Sequence, residues 1–163
     1  MFAFSVVPIT STQVPDADLE ALLRLVYVGG RYTETSIADS LFLASNVRQG
    51  GEVLVAQDAR GGLLGLVIAV SPGSPACRCA TQGEAELHLL CVHPDKQRCG
   101  LGSALVEAAI NVARRAGSTR MILWTQSSMT VAQRLYVRHG FERVRELDFS
   151  RGERWFQVFA RPI

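Results

Sequence analysis

The sequence predicts an α/β domain with a mixed sheet, and three observations support this prediction. Strand-like and helix-like patterns follow one another in the order β-α-α-β-β-β-α-β-α-β-β. Two apolar runs flank the turn residues "ARGG" and indicate a hairpin over residues 52–71. A strand-like run is followed by closely spaced glycines and a long helical pattern. At 163 residues, the chain is expected to form one domain over residues 1–163.

The first half of the chain predicts one strand, two helices, the hairpin and a loop. Residues 2–9, "FAFSVVPI", are mostly apolar and predict an edge strand that Pro8 ends. Residues 15–30 and 33–51 each combine a polar start, apolar residues at helical spacing and a Gly-Gly end. Residues 72–83 are rich in proline and glycine, which predicts an irregular loop after the hairpin.

The second half predicts four strands and two helices. Residues 84–92 form a strand, and residues 100–116 form a helix with its apolar side chains on one side and a glycine stop. The run "RMILWT" predicts a buried strand, and a short helix over 129–138 ends at His139-Gly140. Strand-like runs at 141–149 and 154–160 end the chain.

Composition and charge disfavour several classes of function. The formal net charge is only +2 and the basic residues are scattered, so we expect no nucleic-acid partner. No run of about 18 apolar residues lacks a charge or a breaker, so we expect no membrane partner. The start of the chain reads as a strand rather than a signal peptide, and the four cysteines suit free thiols in a cytoplasmic protein.

The stretch "HPDKQRCGLGSALVEAAI" suggests a phosphate-binding loop. The first backbone N–H groups of a helix have no partner within the helix, and glycine lets an anion approach them. Gln97 and Arg98 add donors beside Gly100 and Gly102. A nucleotide-triphosphate loop is excluded because no Gly-Lys-Ser/Thr follows, and the dinucleotide fingerprint lacks its third glycine. The alternative is that both glycines only allow a tight strand-to-helix turn.

Gln97-x-x-Gly100-x-Gly102, between the strand "ELHLLCVHPD" and an alanine-rich helix, resembles the GNAT superfamily of acyl-CoA-dependent N-acetyltransferases. The later block "AQRLYVRHGFERV" (132–144) is similar to the family's helix with a Leu-Tyr pair before Gly-Phe. The resemblance covers residues 52–149. It implies a GNAT fold, in which a mixed, mostly antiparallel twisted sheet of about six or seven strands is flanked by about four helices.

The resemblance also implies acetyl-CoA as the acyl-donor cosubstrate and identifies the residues that bind it. The glycine-loop amides would hold the pyrophosphate, and backbone groups at a bulge in the fourth strand would hold the pantetheine arm. The matching residues are Leu90, Cys91, Val92, Gln97, Arg98, Cys99, Gly100, Leu101, Gly102 and Ser103. The asparagine that many members carry at the start of the late helix is here Met129, so no cofactor contact is carried over there.

Two catalytic residues follow from the same resemblance, and no metal is implied. Tyr136 occupies the usual position of the general acid, and a phenol of pKa about 10 is protonated at neutral pH. Glu86 occupies the position of a glutamate base, with a structural ion pair as the alternative. His88 is a rival base because its unperturbed pKa is near 6.5. By strand alternation, Glu86, His88 and Leu90 share one face unless a bulge intervenes before Leu90.

The implied function is transfer of an acetyl group to a primary amine by direct attack in a ternary complex. The alternative is a non-catalytic acyl-CoA-binding regulatory module, and a nucleotide-phosphate enzyme ranks third. The acceptor is a small-molecule or peptide amine, with a peptide N-terminus, a lysine, a polyamine and an aminoglycoside left open. The sequence does not determine the preferred length of the acyl chain or the oligomeric state, for which a homodimer is one possibility. We expect residues 15–50 and 72–84 to set acceptor choice, with the candidate lining residues Tyr27, Tyr32, Glu34 and Asp39.

Overall fold

A computed structural model describes residues 3–163 and shows an eight-stranded sheet. The strands in spatial order are β1, β2, β3, β4, β5, β8 and β6, and β7 also pairs with β8. The strands span β1 Phe4–Pro8, β2 Glu52–Asp58, β3 Leu63–Val70, β4 Glu84–Val92, β5 Arg120–Gln126, β6 Glu142–Arg143, β7 Phe149–Arg151 and β8 Arg154–Pro162. Every neighbouring pair is antiparallel except β4 and β5, which run parallel.

The two central strands separate halfway along their length. Their pairing runs from Glu84 opposite Arg120 to Leu87 opposite Leu123. Beyond this point β4 follows β3 and β5 follows β8. A bulge in β4 places two residues opposite Val67, and Leu89 there takes a positive φ of 51°. The sheet therefore contains a V-shaped gap at its centre.

Helices cover both faces of the sheet. The helices span α1 Asp16–Leu23, α2 Thr35–Leu41, α3 Ala44–Gln49, α4 Leu101–Arg115 and α5 Thr130–Arg138. The apolar side of α4 packs on one face, where Leu105, Val106 and Ile110 are completely buried. The helices α1 to α3 pack on the opposite face around Leu19, Leu23 and other buried residues. In the described part of the chain, no helix is both long and apolar enough to cross a membrane.

The fold is the predicted mixed α/β sheet, with local differences. The predicted helix over 33–51 is two helices, because Leu43 is extended between them while Phe42 is fully buried. The helix expected to reach residue 30 ends instead in a π-helical turn, Arg24–Val28. The predicted strand over 141–149 is broken by a 3-10 turn at Arg145–Leu147. The predicted first strand begins at Phe4, and Phe2 lies outside the described residues.

Candidate active site

A cavity lies where β4 and β5 separate, and the segment that joins α1 to α2 covers it. Most of its wall is aromatic or aliphatic. The wall also contains the charged side chains of Glu34, Arg151 and Arg154 and the imidazole of His88. The central strands contribute Leu87, His88, Leu89, Leu90, Trp124, Thr125 and Gln126. The predicted candidates Tyr27, Tyr32 and Glu34 line this cavity, whereas Asp39 pairs with Arg24 at 2.9 Å.

Tyr136 lies on α5 and lines the cavity. Its ring packs edge-on against Phe141, with the ring centroids 5.9 Å apart. Burial raises the pKa of the Tyr136 phenol well above its usual value, because the phenolate would lose its hydration. The hydroxyl is therefore protonated at neutral pH and has a proton to give.

Glu86 is fully buried beneath the loop that precedes β4, and its carboxylate already has several hydrogen bonds. Oε2 accepts the backbone N–H groups of Arg78 at 2.9 Å, Cys79 at 2.6 Å and Ala80 at 3.3 Å. Oε1 accepts the indole N–H of Trp124 at 2.8 Å. Glu86 does not contribute to the cavity wall. These contacts favour a structural role, in which the carboxylate holds the loop and orients Trp124.

His88 lies two residues further along β4 and does line the cavity. Its ring packs against Trp124, with the centroids 5.5 Å apart. Burial lowers the pKa of His88 below its usual value, although the Glu86 carboxylate, 4.0 Å from Nδ1, opposes this shift. The imidazole is therefore neutral at neutral pH and has a lone pair that can accept a proton. Of the two predicted bases, the structure brings His88 to the cavity.

The bulged end of β4 forms another part of the site. The predicted contact residues Leu90 and Val92 are half-buried here, and Cys91 is buried between them. The hydroxyl of Tyr27 donates a 2.9 Å hydrogen bond to the Leu90 carbonyl. Burial raises the pKa of the Cys91 thiol to about 12, so this thiol is not a nucleophile at neutral pH. The bulge also moves Leu90 off the face that Glu86 and His88 share.

The predicted phosphate loop lies at the start of α4. Residues 97–100 are exposed, and Arg98 and Gly100 both take the left-handed conformation, with φ of 63° and 83°. Leu101 is buried and anchors the first turn of the helix. The N–H groups of this turn have no acceptor within the helix, and they point out of its start. The loop therefore offers an anion a set of backbone donors at the positive end of the helix dipole.

Two side chains shape the same loop from α5. A Cβ built on Gly102 would lie 3.1 Å from a methyl carbon of Leu135, so little space remains beside this glycine. The hydroxyl of Ser103 lies 3.0 Å from Nε2 of His139, and Nδ1 of His139 lies 2.8 Å from the Glu107 carboxylate. Residues 97–103 thus lie beyond the carboxyl end of the central strand β4, next to α5 and His139.

A protein-family model described as "Acetyltransferase (GNAT) family" matches residues 18–141 of this chain. The chain belongs to the GNAT family of acetyltransferases. This finding confirms the resemblance that the two motifs predict.

Three related proteins illustrate the match. An uncharacterised N-acetyltransferase of Schizosaccharomyces pombe is 34% identical over 92 residues, which is 56% of this chain and 52% of the relative. The chain therefore matches about half the length of this curated relative. A GNAT-family acetyltransferase from Staphylococcus aureus has a TM-score of 0.77, with 14% identity over 98% of this chain and 99% of the neighbour. The ribosomal-protein-S18-alanine N-acetyltransferase of Escherichia coli has a TM-score of 0.67, with 22% identity over 100% of this chain and 94% of the neighbour.

The GNAT cavity includes residues that the sequence analysis did not select. The Oγ1 of Thr125 is buried and has no hydrogen-bond partner among the described residues. Gln126 donates to the carbonyl of Tyr32, and Arg154 donates to the Gln126 side chain at 2.8 Å. These contacts fasten the segment before α2 to β5 and β8. The sequence feature that could have identified Thr125 and Gln126 is their position at the carboxyl end of the central strand β5, where ligands often bind.

Proposed function

We propose that this GNAT protein is an N-acetyltransferase that moves the acetyl group of acetyl-CoA to a primary amine within a ternary complex. The observation that carries the proposal is the arrangement around the V-shaped gap. A protonated phenol, Tyr136, and a neutral imidazole, His88, line one cavity at the point where β4 and β5 separate. The loop with unsatisfied helix N–H groups follows β4 after a 3-10 turn at Pro94–Lys96.

The residues of the chain fit both the pyrophosphate and the pantetheine arm of acetyl-CoA, the acyl donor. The backbone amides of residues 98–103 supply donors for the pyrophosphate, and Arg98 and Gln97 supply side-chain donors. The separated backbone of Leu90 to Val92 supplies polar groups for the pantetheine amides, because this stretch of β4 is not paired with β5. The buried hydroxyl of Thr125 lies on the facing strand and has a hydrogen bond to make.

The reaction forms one bond and breaks one. The amine nitrogen attacks the acetyl carbonyl, a C–N bond forms, and the C–S bond of the thioester then breaks. The proton lost by the attacking amine goes to the base, and the thiolate of CoA takes a proton from the Tyr136 hydroxyl. No acyl-enzyme is needed, and the raised pKa of the Cys91 thiol makes this residue unsuitable as a nucleophile.

We infer that His88 is the base, directly or through one water molecule. It lines the cavity, is neutral and is held against Trp124. The sequence-based hypothesis of a Glu86 base has less structural support. Proton transfer requires the carboxylate to be within hydrogen-bond reach of the amine or of a water molecule, and both oxygens of Glu86 already accept buried N–H groups. Glu86 instead acts through Trp124 and the loop as a positioning residue.

Titration calorimetry with acetyl-CoA, followed in the same preparation by amine-dependent release of free thiol, tests the proposal. We expect saturable binding, and we expect thiol release only when a suitable amine is present. Binding without release from any amine would favour the non-catalytic acyl-CoA-binding module. No binding of acetyl-CoA would contradict the assignment of the glycine loop.

A further inference from the structure

A second depression adjoins the cavity and shares one wall with it. The shared wall consists of Leu41, His88, Leu89, Trp124 and Arg151. From this wall the depression continues between α3 and the loop before β4, past Asn46, Gly50, Ala76 and Arg78. We call the depression that these residues help to line the basic groove. A molecule that reaches the cavity from this side has to pass His88.

The charged side chains of the basic groove are both positive. They are Arg78 and Arg151, beside the neutral imidazole of His88, and no carboxylate is among the lining residues that the structure describes. The nearest buried carboxylate along β4, Glu86, is covered by the loop and uses both oxygens in hydrogen bonds. The two guanidinium groups of the groove outweigh the single negative charge of Glu86, so the groove keeps a net positive charge.

Arg78 and Arg151 make no ion pair among the described residues, unlike four other arginines of the chain. Arg24, Arg48, Arg120 and Arg143 each pair with an aspartate or a glutamate. In the part of the chain that the structure describes, no carboxylate lies within salt-bridge distance of Arg78 or Arg151. Both side chains are exposed, so their N–H groups are accessible to a ligand.

Aromatic rings support both guanidinium groups. The Cζ of Arg78 lies 3.9 Å from the centroid of Phe149, and the Cζ of Arg151 lies 5.8 Å from the centroid of Trp124. The rings of Trp124 and Phe149 are themselves in contact, 5.8 Å apart. A guanidinium that packs on a ring keeps its N–H donors in the guanidinium plane free, and these donors match the two oxygens of a carboxylate.

We propose that the acceptor is a small amine that also carries a carboxylate, which Arg151 and Arg78 bind in the basic groove while the amine enters the cavity beside His88. This inference rests on the proposed function and names its substrate class. Two sources supply the same chemistry, a free amino acid and a short peptide with an acidic N-terminal residue. A polycationic acceptor, such as a polyamine or an aminoglycoside, is disfavoured by the two unpaired guanidinium groups.

The test compares matched acceptors in the thiol-release assay with saturating acetyl-CoA. Each proteinogenic L-amino acid is compared with its carboxamide, C-terminally amidated dipeptides that begin with Asp are compared with those that begin with Asn, and spermidine and kanamycin represent polycations. We expect kcat/KM for at least one acid to exceed that of its uncharged partner by tenfold or more. Preference among free amino acids or among Asp dipeptides identifies the source. Equal kcat/KM for acids and their uncharged partners, or preference for the polycations, would overturn the inference.

Variants identify the groups responsible. Arg151→Gln is expected to lower the ratio of kcat/KM for acid over carboxamide at least tenfold, mainly through KM, and Arg151→Lys to restore part of it. Arg78→Gln should lower the same ratio to a smaller extent. The matched control is Arg115→Gln, a change at an exposed arginine in the last turn of α4 that lines neither the cavity nor the groove, and this variant should leave the ratio unchanged. A ratio that Arg151→Gln leaves unchanged would contradict the role of the groove.

A binding experiment separates failure of this inference from failure of the proposed function. In the presence of CoA, calorimetric titration with the N-acetylated acids and their N-acetylated carboxamides measures recognition without turnover. Binding of an acid that Arg151→Gln weakens tenfold would support the inference even if no amine releases thiol. Turnover of amines with no acid preference in either assay would leave the transferase standing and overturn the inference alone.

Discussion

The indole N–H of Trp124 donates a 2.8 Å hydrogen bond to Oε1 of Glu86, and this contact joins the buried carboxylate to the cavity wall. Trp124 lies on β5 and packs on His88 of β4, so the hydrogen bond spans the two central strands near the point where they separate. The other oxygen of Glu86 holds the loop before β4 through three backbone N–H groups. One side chain therefore fixes the loop, the tryptophan and, through it, the imidazole.

Glu86→Gln is expected to destabilise the fold more than it slows the reaction. Glutamine has one oxygen and one NH₂ group, and N–H donors face both positions of the present carboxylate. In either orientation the NH₂ group meets a donor, which should cost about 1–3 kcal/mol of unfolding free energy. Denaturant unfolding of the variant measures this loss, and turnover is measured at a temperature where the variant is folded.

The matched control for that substitution is Glu146→Gln, a change at an exposed glutamate in the 3-10 turn between β6 and β7, which should leave the unfolding free energy unchanged. A Glu86→Gln variant of normal stability whose kcat falls by about 10²–10⁴ would restore Glu86 as the base. A fall in kcat of less than about tenfold, with lower stability, supports the positioning role.

The pH dependence of the reaction should report on His88. Burial lowers the pKa of His88, so the imidazole stays neutral down to a pH below the ordinary value of about 6.5. We expect protonation of His88 to add an acid limb to the kcat/KM profile below pH 6.5, because protonation removes the lone pair. His88→Gln should lower kcat by about 10²–10⁴ and remove this acid limb. An acid limb that persists unchanged in the variant would exclude His88 as its origin.

The unfolding free energy of the protein should depend on pH through the ionisation of His88. The unfolded chain takes up the His88 proton more readily than the folded chain, because the folded-state pKa is depressed. The contribution of His88 to stability is therefore fully present above the unfolded pKa and is lost as the pH falls below it. Between pH 6.5 and 5, the unfolding free energy of the wild type should fall more steeply than that of His88→Gln. Parallel curves would contradict the burial of a neutral imidazole.

Removal of the Tyr136 hydroxyl should slow chemistry and spare binding. Tyr136→Phe keeps the ring that packs on Phe141 and removes the group that protonates the leaving thiolate. We expect kcat to fall by about 10²-fold, while calorimetry shows an acetyl-CoA affinity within threefold of the wild type. An unchanged kcat at saturating substrates would remove the acid role from Tyr136.

Much of the fold could be predicted because the informative segments are long and periodic. The strand β4 was predicted over its observed bounds, Glu84–Val92, and α4 over Leu101–Arg115 to within one residue at each end. Glycine marks the start and the end of that helix, so local sequence is enough to place it. The region 33–51 was predicted less well, because the turn that buries Phe42 depends on tertiary packing with Tyr27.

The part of the site that could not be predicted depends on contacts between distant segments. Strand alternation correctly places Glu86 and His88 on one face, but it does not show which of them a loop covers. Backbone N–H groups of the irregular loop at residues 78–80 cover Glu86, and backbone groups leave no residue pattern in the sequence. The bulge at Leu89 likewise depends on how β3 and β4 pair, which residue type alone does not determine.

Substitutions of Gly102 should distinguish the effect of side-chain bulk from the effect of negative charge on acetyl-CoA binding at the phosphate loop. A Cβ at this position lies 3.1 Å from the end of the flexible Leu135 side chain, so Gly102→Ala should keep the acetyl-CoA affinity within about tenfold of the wild type. Gly102→Gln adds bulk without charge, and Gly102→Glu adds the same bulk with a negative charge. If phosphates bind at the start of α4, the glutamate variant should bind acetyl-CoA at least tenfold more weakly than the glutamine variant, and this difference should shrink in high salt. Equal affinity of the two variants would mean that no phosphate binds beside Gly102.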